Sequence, residues 1–330
     1  MAEPVRAFIK GMGSFTPDKV LTNADFEKSL DTSDEWITKR TGIRERHVVS
    51  DGESTSTLAT EAARRALADA GITADELEMI ICATVSPDMP FPCTACFIQE
   101  ALGITDIPAF DVSAACSGFL YAMSIGVQFI RAGVYKTILI IGADALTRFA
   151  DYTDRGSCIL FGDAAGAAIL QPTTEPNKGI VYTVLHSDGS GWDLIYTPGG
   201  GSLHPTTHKT VDEGMHYIKM KGREVYRFAV EKMQWLMGDC MAHCGLRVAD
   251  VDLVVPHQVN IRIIKAAAEK FDFPMEKIAL NIDRYGNTSA ASIPLAMTEA
   301  YEAGRIGPGS LVMLVSFGAG LTWAGAVIRL

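Results

Sequence analysis

The chain resembles itself, and this internal repeat limits the folds that it can adopt. The segment GITADELEMIICA, which starts at Gly71, matches GLRVADVDLVVPH, which starts at Gly245, without gaps. A second pair of matching segments is CSGFLYAMSIGVQFIRAG from Cys116 and NTSAASIPLAMTEAYEAG from Asn287, and its separation in sequence is nearly the same. Units of one helix and one strand resemble each other by chance. Two matches in the same order and at nearly equal offsets nevertheless favour a duplicated half.

The expected fold is an α/β architecture built from these halves, residues 1–175 and 176–330. Continuous apolar runs are typical of parallel strands buried on both faces, and they occur at Met79–Thr84, Ile138–Gly142, Leu253–Pro256 and Leu311–Ser316. Leu58–Ala70 has one apolar and one charged face, which predicts an outer helix, whereas Phe119–Ile130 is apolar nearly all round, which predicts a buried helix. Two three-layer halves that share their buried helices give five layers, αβαβα.

Composition and charge exclude several classes of protein. Hydrophobic residues make up 48% of the chain and charged residues 21%, which is ordinary for a globular protein. A formal charge of −10 argues against binding nucleic acid over a broad surface. The N-terminal sequence lacks the pattern of a secretion signal, so we expect a cytoplasmic protein. The apolar stretch 311–328 is long enough for a membrane span, but its glycines favour two buried strands joined by a turn.

The cysteines indicate a reducing compartment rather than a disulfide framework. There are seven, at positions 82, 93, 96, 116, 158, 240 and 244, an odd number in a chain without an export signal. Cys93 and Cys96 form a C-x-x-C pair, and Cys240 and Cys244 form a C-x-x-x-C pair. A zinc site is one interpretation of these pairs. Buried small residues are the other and the favoured one, so we expect no metal.

One cysteine has the setting of a nucleophile. The segment Ile107–Val112 is predicted to be a strand, and Cys116 lies between it and the buried helix, among small residues. Free backbone N–H groups at a helix N-terminus stabilise a thiolate and lower its pKa. We therefore predict that Cys116 is an acyl acceptor with a lowered pKa, and that the other six cysteines are core residues.

Two further residues occupy matching places in the duplicated frame. His257 directly follows a predicted buried strand and corresponds to Ala83, and Asn287 takes the place of Cys116 itself. If the halves pack about a pseudo-twofold axis, Cys116, His257 and Asn287 converge. A structural hydrogen-bonding role for the histidine and the asparagine is the alternative.

These residues resemble the 3-oxoacyl-[acyl-carrier-protein] synthase III family, whose members are condensing enzymes with a thiolase-like fold. The resemblance covers nearly the whole chain. Its strongest pieces are DTSDEWITKRTGIRER from Asp31, FDVSAACSGF around Cys116, TDRG from Thr153, FGDAAGAA from Phe161, PHQVNIRII around His257, GNTSAAS around Asn287 and SFGAGLTWAG from Ser316. It implies that an acyl-CoA, with acetyl-CoA the expected primer, acylates Cys116. Malonyl-ACP, the malonyl thioester of acyl carrier protein, then loses CO2 and attacks the acyl thioester. The CoA thioester is a substrate, and no cofactor is implied.

The resemblance also implies roles for individual residues. His257 and Asn287 would hold the malonyl thioester oxygen, and the backbone N–H groups of Cys116 and Gly318 would form the oxyanion hole. The other implied residues are Thr32, Trp36, Arg40, Arg155 and Asn260 for CoA, Phe91, Phe161 and Phe317 for the acyl pocket, and Arg227, Arg262 and Lys265 for acyl carrier protein (ACP). Phe91 would reach the pocket of a partner subunit, which implies a homodimer. Core packing of the phenylalanines and a solvated surface for the charged residues are the alternatives.

Several functions remain open on the sequence alone. Another Cys-His-Asn condensing enzyme, of the polyketide or fatty-acyl type, would share the three residues and differ in its second substrate. A Cys-His-Asn hydrolase would release free acid. A non-catalytic relative is the third alternative, and the presence of all three residue types argues against it. The polar segment Pro198–Gly214 departs most from the family pattern and is a candidate border of the CoA tunnel.

Overall fold

The computed structural model describes residues 5–330 of the chain. Its strands are β1 Arg6–Phe15, β2 Val20–Thr22, β3 Glu45–His47, β4 Met79–Ala83, β5 Ala109–Val112, β6 Ile138–Ala145, β7 Asp163–Thr173, β8 Gly179–Ser187, β9 Ile195–Tyr196, β10 Lys219–Met220, β11 Leu253–Pro256, β12 Leu311–Gly318 and β13 Thr322–Arg329. Its α-helices are α1 Asn23–Glu27, α2 Asp34–Thr41, α3 Thr55–Ala70, α4 Thr94–Ala101, α5 Gly118–Arg131, α6 His208–Asp212, α7 Gly222–Cys244, α8 Ile261–Glu269, α9 Ile282–Tyr285 and α10 Ser292–Glu302.

Two mixed sheets with the same strand order form the frame of the molecule. The first sheet runs β1-β7-β6-β4-β5, and the second runs β8-β13-β12-β11. In each sheet the strands towards one edge pair in parallel, β6 with β4 and β4 with β5 in the first sheet and β12 with β11 in the second. The remaining pairs are antiparallel. The place of a fifth strand in the second sheet is taken by one parallel bridge between Val254 and Ile278. The duplication predicted from the sequence is therefore present in the topology.

Helices complete the five layers. The apolar helix α5 and its counterpart α10 lie between the sheets, where each contacts strands of both. Helices α3 and α4 cover the outer face of the first sheet, and α7 and α8 cover that of the second. The prediction of a thiolase-like αβαβα fold is confirmed. At one point the central layer touches the sheet closely, because a methyl group on Gly142 would lie 2.3 Å from the carbonyl oxygen of Ala290.

The repeat corrects one equivalence drawn from the sequence. The first residues of α5 and α10 have the same separation in sequence as Gly71 and Gly245, the ends of the first matching pair. Each helix follows a short 3₁₀ turn that starts at a residue with positive φ, Ala115 at 47° and Ser289 at 50°. Cys116 therefore corresponds to Ala290, and the pairing of Cys116 with Asn287 is wrong by three positions. The reason is that α5 has 14 residues and α10 has 11, so the sequence match that aligns their last residues misaligns their first ones.

The link between the sheets lies between Thr173, the last residue of β7, and Gly179, the first residue of β8. The predicted division into residues 1–175 and 176–330 falls in this link and remains a prediction. The apolar stretch 311–328 forms the antiparallel pair β12 and β13, as expected. Among residues 5–330, no helix combines the length and the apolar character needed to cross a bilayer.

Candidate active site

The three reactive residues lie at the ends of elements from both halves. Cys116 is in the 3₁₀ turn Ala115–Ser117, which follows β5 and leads into α5. His257 comes directly after β11, and Asn287 lies between α9 and the 3₁₀ turn Ser289–Ala291. The two turns contact each other, and the first also packs against β12. All three side chains line one cavity of about 270 Å³.

The cavity is mainly apolar and contains two of the predicted pocket residues. Phe161 and Phe317 line it together with Val85, Leu146, Phe149, Leu160, Ile195, Ile218, Met220, Val225 and Val259. Phe317 also meets the His257 ring edge to face, with 5.6 Å between the ring centroids. Such walls suit an acyl chain and keep water from a reacting thioester.

His257 is held as a neutral ring. Its side chain has no exposed surface, and burial lowers its pKa to about 3, so the ring carries no charge near neutral pH. The hydroxyl of Ser292 lies 2.7 Å from Nδ1, while Nε2 is buried without a hydrogen-bond partner among the described residues. When Ser292 donates to Nδ1, the proton of the ring is on Nε2. His257 can then donate this proton to a ligand in the cavity.

Asn287 is fixed with its amide NH2 group unpaired within residues 5–330. Its side-chain oxygen accepts a hydrogen bond of 2.9 Å from the backbone N–H of Ser289. Its backbone N–H donates to the carbonyl of Leu160 at 2.8 Å, and its carbonyl accepts from Gly162 at 3.0 Å, so the first half holds this residue of the second half. The amide oxygen is thus already occupied, and the two N–H donors remain for a ligand.

The electrostatics of Cys116 contradict the sequence-based expectation of a lowered pKa. Burial raises the pKa of the thiol to about 12. A hydrogen bond with the Ser289 hydroxyl and one from backbone favour the thiolate, whereas the carboxylate of Asp144 disfavours it. Cys116 does precede the N-terminus of α5, where backbone N–H groups lower the pKa of a thiol. The burial of the Cys116 thiol away from water raises its pKa by more than these groups lower it. The free protein therefore holds Cys116 as a thiol.

Hydrogen bonds hold the backbone around Cys116 against the second half of the chain. The hydroxyl of Ser316 donates to the Cys116 carbonyl at 2.7 Å, and that of Thr322 donates to the Ala114 carbonyl at 2.9 Å. A methyl group on Gly318 would lie 2.7 Å from the Cys116 nitrogen. Ser316 and Thr322 thus position this backbone, and their sequence gives no sign of it beyond their place in the SFGAGLTWAG motif.

A second cavity, of about 680 Å³, adjoins the first, because Leu160, Met220, Val225 and Val259 line both. Its charged lining residues are all arginines: Arg40, Arg223, Arg227 and Arg262. Trp36 also lines it, with the Arg40 guanidinium 4.5 Å from the ring centroid. Asn260, another lining residue, donates to the Arg40 carbonyl at 3.0 Å. The second cavity is therefore positively charged.

The remaining predicted residues lie outside both cavities. Arg155 pairs with Asp31 at 3.1 Å and has its guanidinium 5.4 Å from the Trp36 ring centroid, so it borders the second cavity. Thr32 has a buried hydroxyl without a hydrogen-bond partner among the described residues. Lys265 is exposed on α8, and Phe91 is 84% exposed.

Two alternatives from the sequence find no support. Segment 198–214 contributes no lining residue to either cavity, although Tyr196 and Thr197 just before it line the first. The Cys93 and Cys96 sulfurs lie 3.3 Å apart, but no group of three or more metal-ligating side chains occurs within residues 5–330. All seven cysteines are free.

A cysteine, a neutral histidine and an asparagine amide surround one apolar cavity between duplicated halves, which is the arrangement expected of a thiolase-like condensing enzyme. Sequence profiles of 3-oxoacyl-[acyl-carrier-protein (ACP)] synthase III match residues 110–189, and those of its C-terminal part match residues 241–330. Beta-ketoacyl-[acyl-carrier-protein] synthase III of Caldanaerobacter subterraneus is 48% identical over 329 residues, which cover 100% of this chain and 99% of the relative. The protein belongs to the 3-oxoacyl-[acyl-carrier-protein] synthase III family.

Solved structures agree with this assignment. The crystal structure of 3-oxoacyl-[acyl-carrier-protein] synthase III from Aquifex aeolicus matches with a TM-score of 0.91 and 43% identity, over 98% of this chain and 100% of that one. The enzyme from Thermus thermophilus matches with a TM-score of 0.91 and 42% identity, over 98% and 99%. The protein is thus an acyltransferase of the condensing type that initiates fatty acid biosynthesis.

Proposed function

We propose that the protein transfers the acyl group of an acyl-CoA, with acetyl-CoA the expected primer, to Cys116 and condenses it with malonyl-ACP. The products are CoA, CO2 and 3-oxoacyl-ACP. The observation that carries this proposal is the set of groups around the first cavity, where a thiol meets two neutral donors. A decarboxylating condensation needs one acyl acceptor and donors for a developing enolate.

The second cavity suits the CoA moiety. Arginines present planar donors to phosphate oxygens, and a tryptophan can stack on adenine. Arg40, Asn260 and Trp36 lie together in this cavity, with Arg155 beside it. Thr32 is proposed for CoA on the sequence resemblance alone. Because the cavities adjoin, a pantetheine arm that starts in the second can bring its thioester to Cys116 in the first.

The proposed acylation takes place at Cys116. Its sulfur forms a bond to the thioester carbonyl carbon, the bond from that carbon to the CoA sulfur breaks, and CoA leaves as its thiol with the proton of Cys116. Since burial keeps the pKa of the free thiol at about 12, the proton leaves as the new bond forms. The N–H groups of Cys116 and Gly318 hold the negative charge on the carbonyl oxygen, a contribution of about 10²–10³ in rate for a single donor.

Condensation uses the other two residues. Nε2–H of His257 and the amide NH2 of Asn287 hydrogen-bond the thioester oxygen of the malonyl group and stabilise the enolate left when CO2 departs. The lowered pKa of His257 keeps the ring neutral, so it acts as a hydrogen-bond donor without surrendering a proton. The enolate carbon attacks the acyl carbon, and the thiolate of Cys116 leaves and takes a proton from water. No step requires a cofactor.

The partner surfaces are proposed on the same basis. Arg227 and Arg262 at the second cavity, with Lys265 nearby on α8, form a basic rim for an acidic carrier protein in an otherwise acidic enzyme. The exposed Phe91 side chain is proposed to enter the acyl pocket of a second copy in a homodimer. We also propose a cytoplasmic location, in keeping with seven free cysteines.

The product assay discriminates among the alternatives. The purified protein receives one acyl-CoA from a panel of primers, with malonyl-ACP or without it, and products are separated by mass. The proposal predicts 3-oxoacyl-ACP only when both substrates are present. Free acid from acyl-CoA alone would indicate a hydrolase. Product with acyl-ACP but with no acyl-CoA would indicate another condensing enzyme and contradict the proposal.

A further inference from the structure

The C-x-x-C pair at the start of α4 has no part in the site described above. The sulfurs of Cys93 and Cys96 lie 3.3 Å apart, within hydrogen-bonding distance of each other. Both side chains are half-buried, whereas Cys82, Cys158 and Cys240 are buried. The two thiols of this pair are therefore in contact with each other and partly exposed to small reagents.

The backbone holds the pair in a geometry that permits a disulfide. The N–H of Cys96 donates to the carbonyl of Cys93 at 3.1 Å. A turn of this kind keeps the Cα atoms of its first and last residues within about 7 Å, and disulfides join Cα atoms about 4.4–6.8 Å apart. The two sulfurs need to approach by about 1.3 Å to reach the bonded distance of about 2.05 Å. Rotation of the two side chains can supply this movement while the turn stays in place.

Hydrogen bonds that need no thiol fix this turn to strand β5. The carboxylate of Asp111 accepts from the backbone N–H groups of Thr94 at 2.7 Å and Ala95 at 2.8 Å. The Cys93 thiol also donates to the Ala109 carbonyl at 3.6 Å. Only this last bond would be lost when the thiol gives up its proton. Oxidation of the pair is therefore compatible with the position of α4 on β5.

The two thiols are suited to different steps of an exchange. The hydrogen bond with Cys93 raises the pKa of Cys96, and burial and the carboxylate of Asp111 act in the same direction. Cys96 thus suits the thiol that keeps its proton in the first step. From its place 3.3 Å away it can donate a hydrogen bond to a thiolate on Cys93.

We propose that Cys93 and Cys96 form a reversible dithiol–disulfide site, separate from Cys116, whose reactant is a low-molecular-weight disulfide. The Cys93 sulfur forms a bond to one sulfur of the reagent, the S–S bond of the reagent breaks, and one half leaves as a thiol with the proton of Cys93. The Cys96 sulfur then bonds to the Cys93 sulfur, and the second half leaves as a thiol with the proton of Cys96. The two cysteines lose two electrons and two protons, and the reagent gains them.

The experiment uses the full-length protein and glutathione disulfide. The reduced protein is incubated with the reagent, the exchange is stopped with acid, free thiols are blocked with iodoacetamide, and the chain is cleaved after Asp and Glu. The fragment 89–100 then contains Cys93 and Cys96 and no other cysteine, and the fragment 112–144 contains Cys116 alone. Fragment 89–100 is expected to lose two hydrogens and to carry no blocking group. Dithiothreitol should return both thiols.

Variants of the pair separate its two steps. Cys96→Ser should stop at a mixed disulfide of glutathione with Cys93, because the second thiol is missing. Cys93→Ser should form no link within fragment 89–100. Cys244→Ser is the matched control, since it removes a half-buried cysteine from the other closely spaced pair, in α7. It should form the link in fragment 89–100 as the unchanged protein does.

The proposal is overturned if fragment 89–100 of the unchanged protein keeps two blocked thiols in excess glutathione disulfide. A mixed disulfide that persists on the unchanged protein would also overturn it, because Cys96 would then not reach Cys93. So would a link from either cysteine to Cys116 in fragment 112–144. None of these measurements needs an acyl-CoA. They therefore give their answer even if no acyl-CoA acylates Cys116, which is the result that would refute the proposed function.

Discussion

Replacement of Gly318 by alanine is the sharpest perturbation of the oxyanion hole. The new methyl group would lie 2.7 Å from the backbone nitrogen of Cys116, 3.1 Å from Cβ of Ala115 and 3.2 Å from the Thr322 hydroxyl. The contact with the nitrogen is too short for a real methyl group, so the end of β12 or the turn around Cys116 must move. Either movement takes one of two N–H donors away from the thioester oxygen.

The size of the effect follows from the loss of one such donor. We expect acylation of Cys116 to slow by about 10²–10³-fold, which corresponds to about 3–4 kcal/mol of transition-state stabilisation. The assay is single-turnover formation of the acyl-enzyme with acetyl-CoA, followed by intact-protein mass. Iodoacetamide alkylation provides an internal comparison, because alkylation develops no oxyanion and should change much less than acylation.

Gly307→Ala is the matched control for this substitution. A methyl group on Gly307 meets no atom within 4 Å, and the backbone there has no positive φ. The control should acylate at the rate of the unchanged protein and melt at the same temperature. If Gly318→Ala acylates within threefold of the unchanged rate, Gly318 and Cys116 do not form the oxyanion hole and the reasoning fails.

Three further substitutions test other parts of the structure. Gly142→Ala should lower the free energy of unfolding by about 3 kcal/mol in urea titration, because the methyl group would lie 2.3 Å from the Ala290 oxygen in the packed central layer; an unchanged midpoint would contradict the packing. The pKa of buried His257 is about 3 in the folded protein and near 6.5 when unfolded. As pH falls from 6.5 towards 3, this histidine therefore gains a proton in the unfolded chain but not in the folded protein. The free energy of unfolding falls in that range by up to about 1.4 kcal/mol per pH unit. His257→Gln lacks this loss, and equal acid dependence of both proteins in urea unfolding at pH 4.5–6.5 would refute the assignment. Trp36→Ala should raise KM for acyl-CoA about tenfold with little change in kcat, since it removes a contact with CoA that forms in the ground state. A lower kcat with an unchanged KM would contradict a role for Trp36 in CoA binding.

The sequence predicted the buried parts of the fold well, because their pattern is continuous and apolar. The strand Leu253–Pro256 has the bounds expected, and the helix expected at Phe119–Ile130 runs from Gly118 to Arg131. Strand β1 has no such signal, since it contains Gly11 and Gly13. Methyl groups there would lie 2.4 Å from backbone nitrogens of α3. Glycine is needed at both positions because helix α3 packs closely against the strand, and the sequence of the strand alone does not show this contact.

The sequence predicted which three residues meet in the site, because their types are reactive and they follow predicted strands or precede predicted helices. Cys116, His257 and Asn287 do line one cavity. Their catalytic roles remain predictions. The equivalence of Cys116 with Asn287 was wrong because α10 is three residues shorter than α5 at its N-terminus. The similar sequences at the C-terminal ends of the two helices do not reveal this difference. The pKa of Cys116 was wrong because burial is a property of the assembled layers rather than of the neighbouring residues.

The serines of the site show the same limit. Ser292 and Ser316 each make one hydrogen bond to a partner that is distant in sequence: the ring of His257 for Ser292 and the carbonyl of Cys116 for Ser316. A small polar residue within a motif gives no indication of which partner it meets. Only the packing of the two halves decides this.

The decisive experiment is the intact mass of the protein after mixing with a panel of acyl-CoAs, with Cys116→Ser in parallel and with malonyl-ACP added afterwards. We expect a single acyl adduct on the unchanged protein, no adduct on the variant, and loss of the adduct on addition of malonyl-ACP with formation of 3-oxoacyl-ACP. The identity of the acyl group that reacts fastest gives the primer. Absence of an adduct with every acyl-CoA, or an equal adduct on Cys116→Ser, would contradict acyl transfer through Cys116.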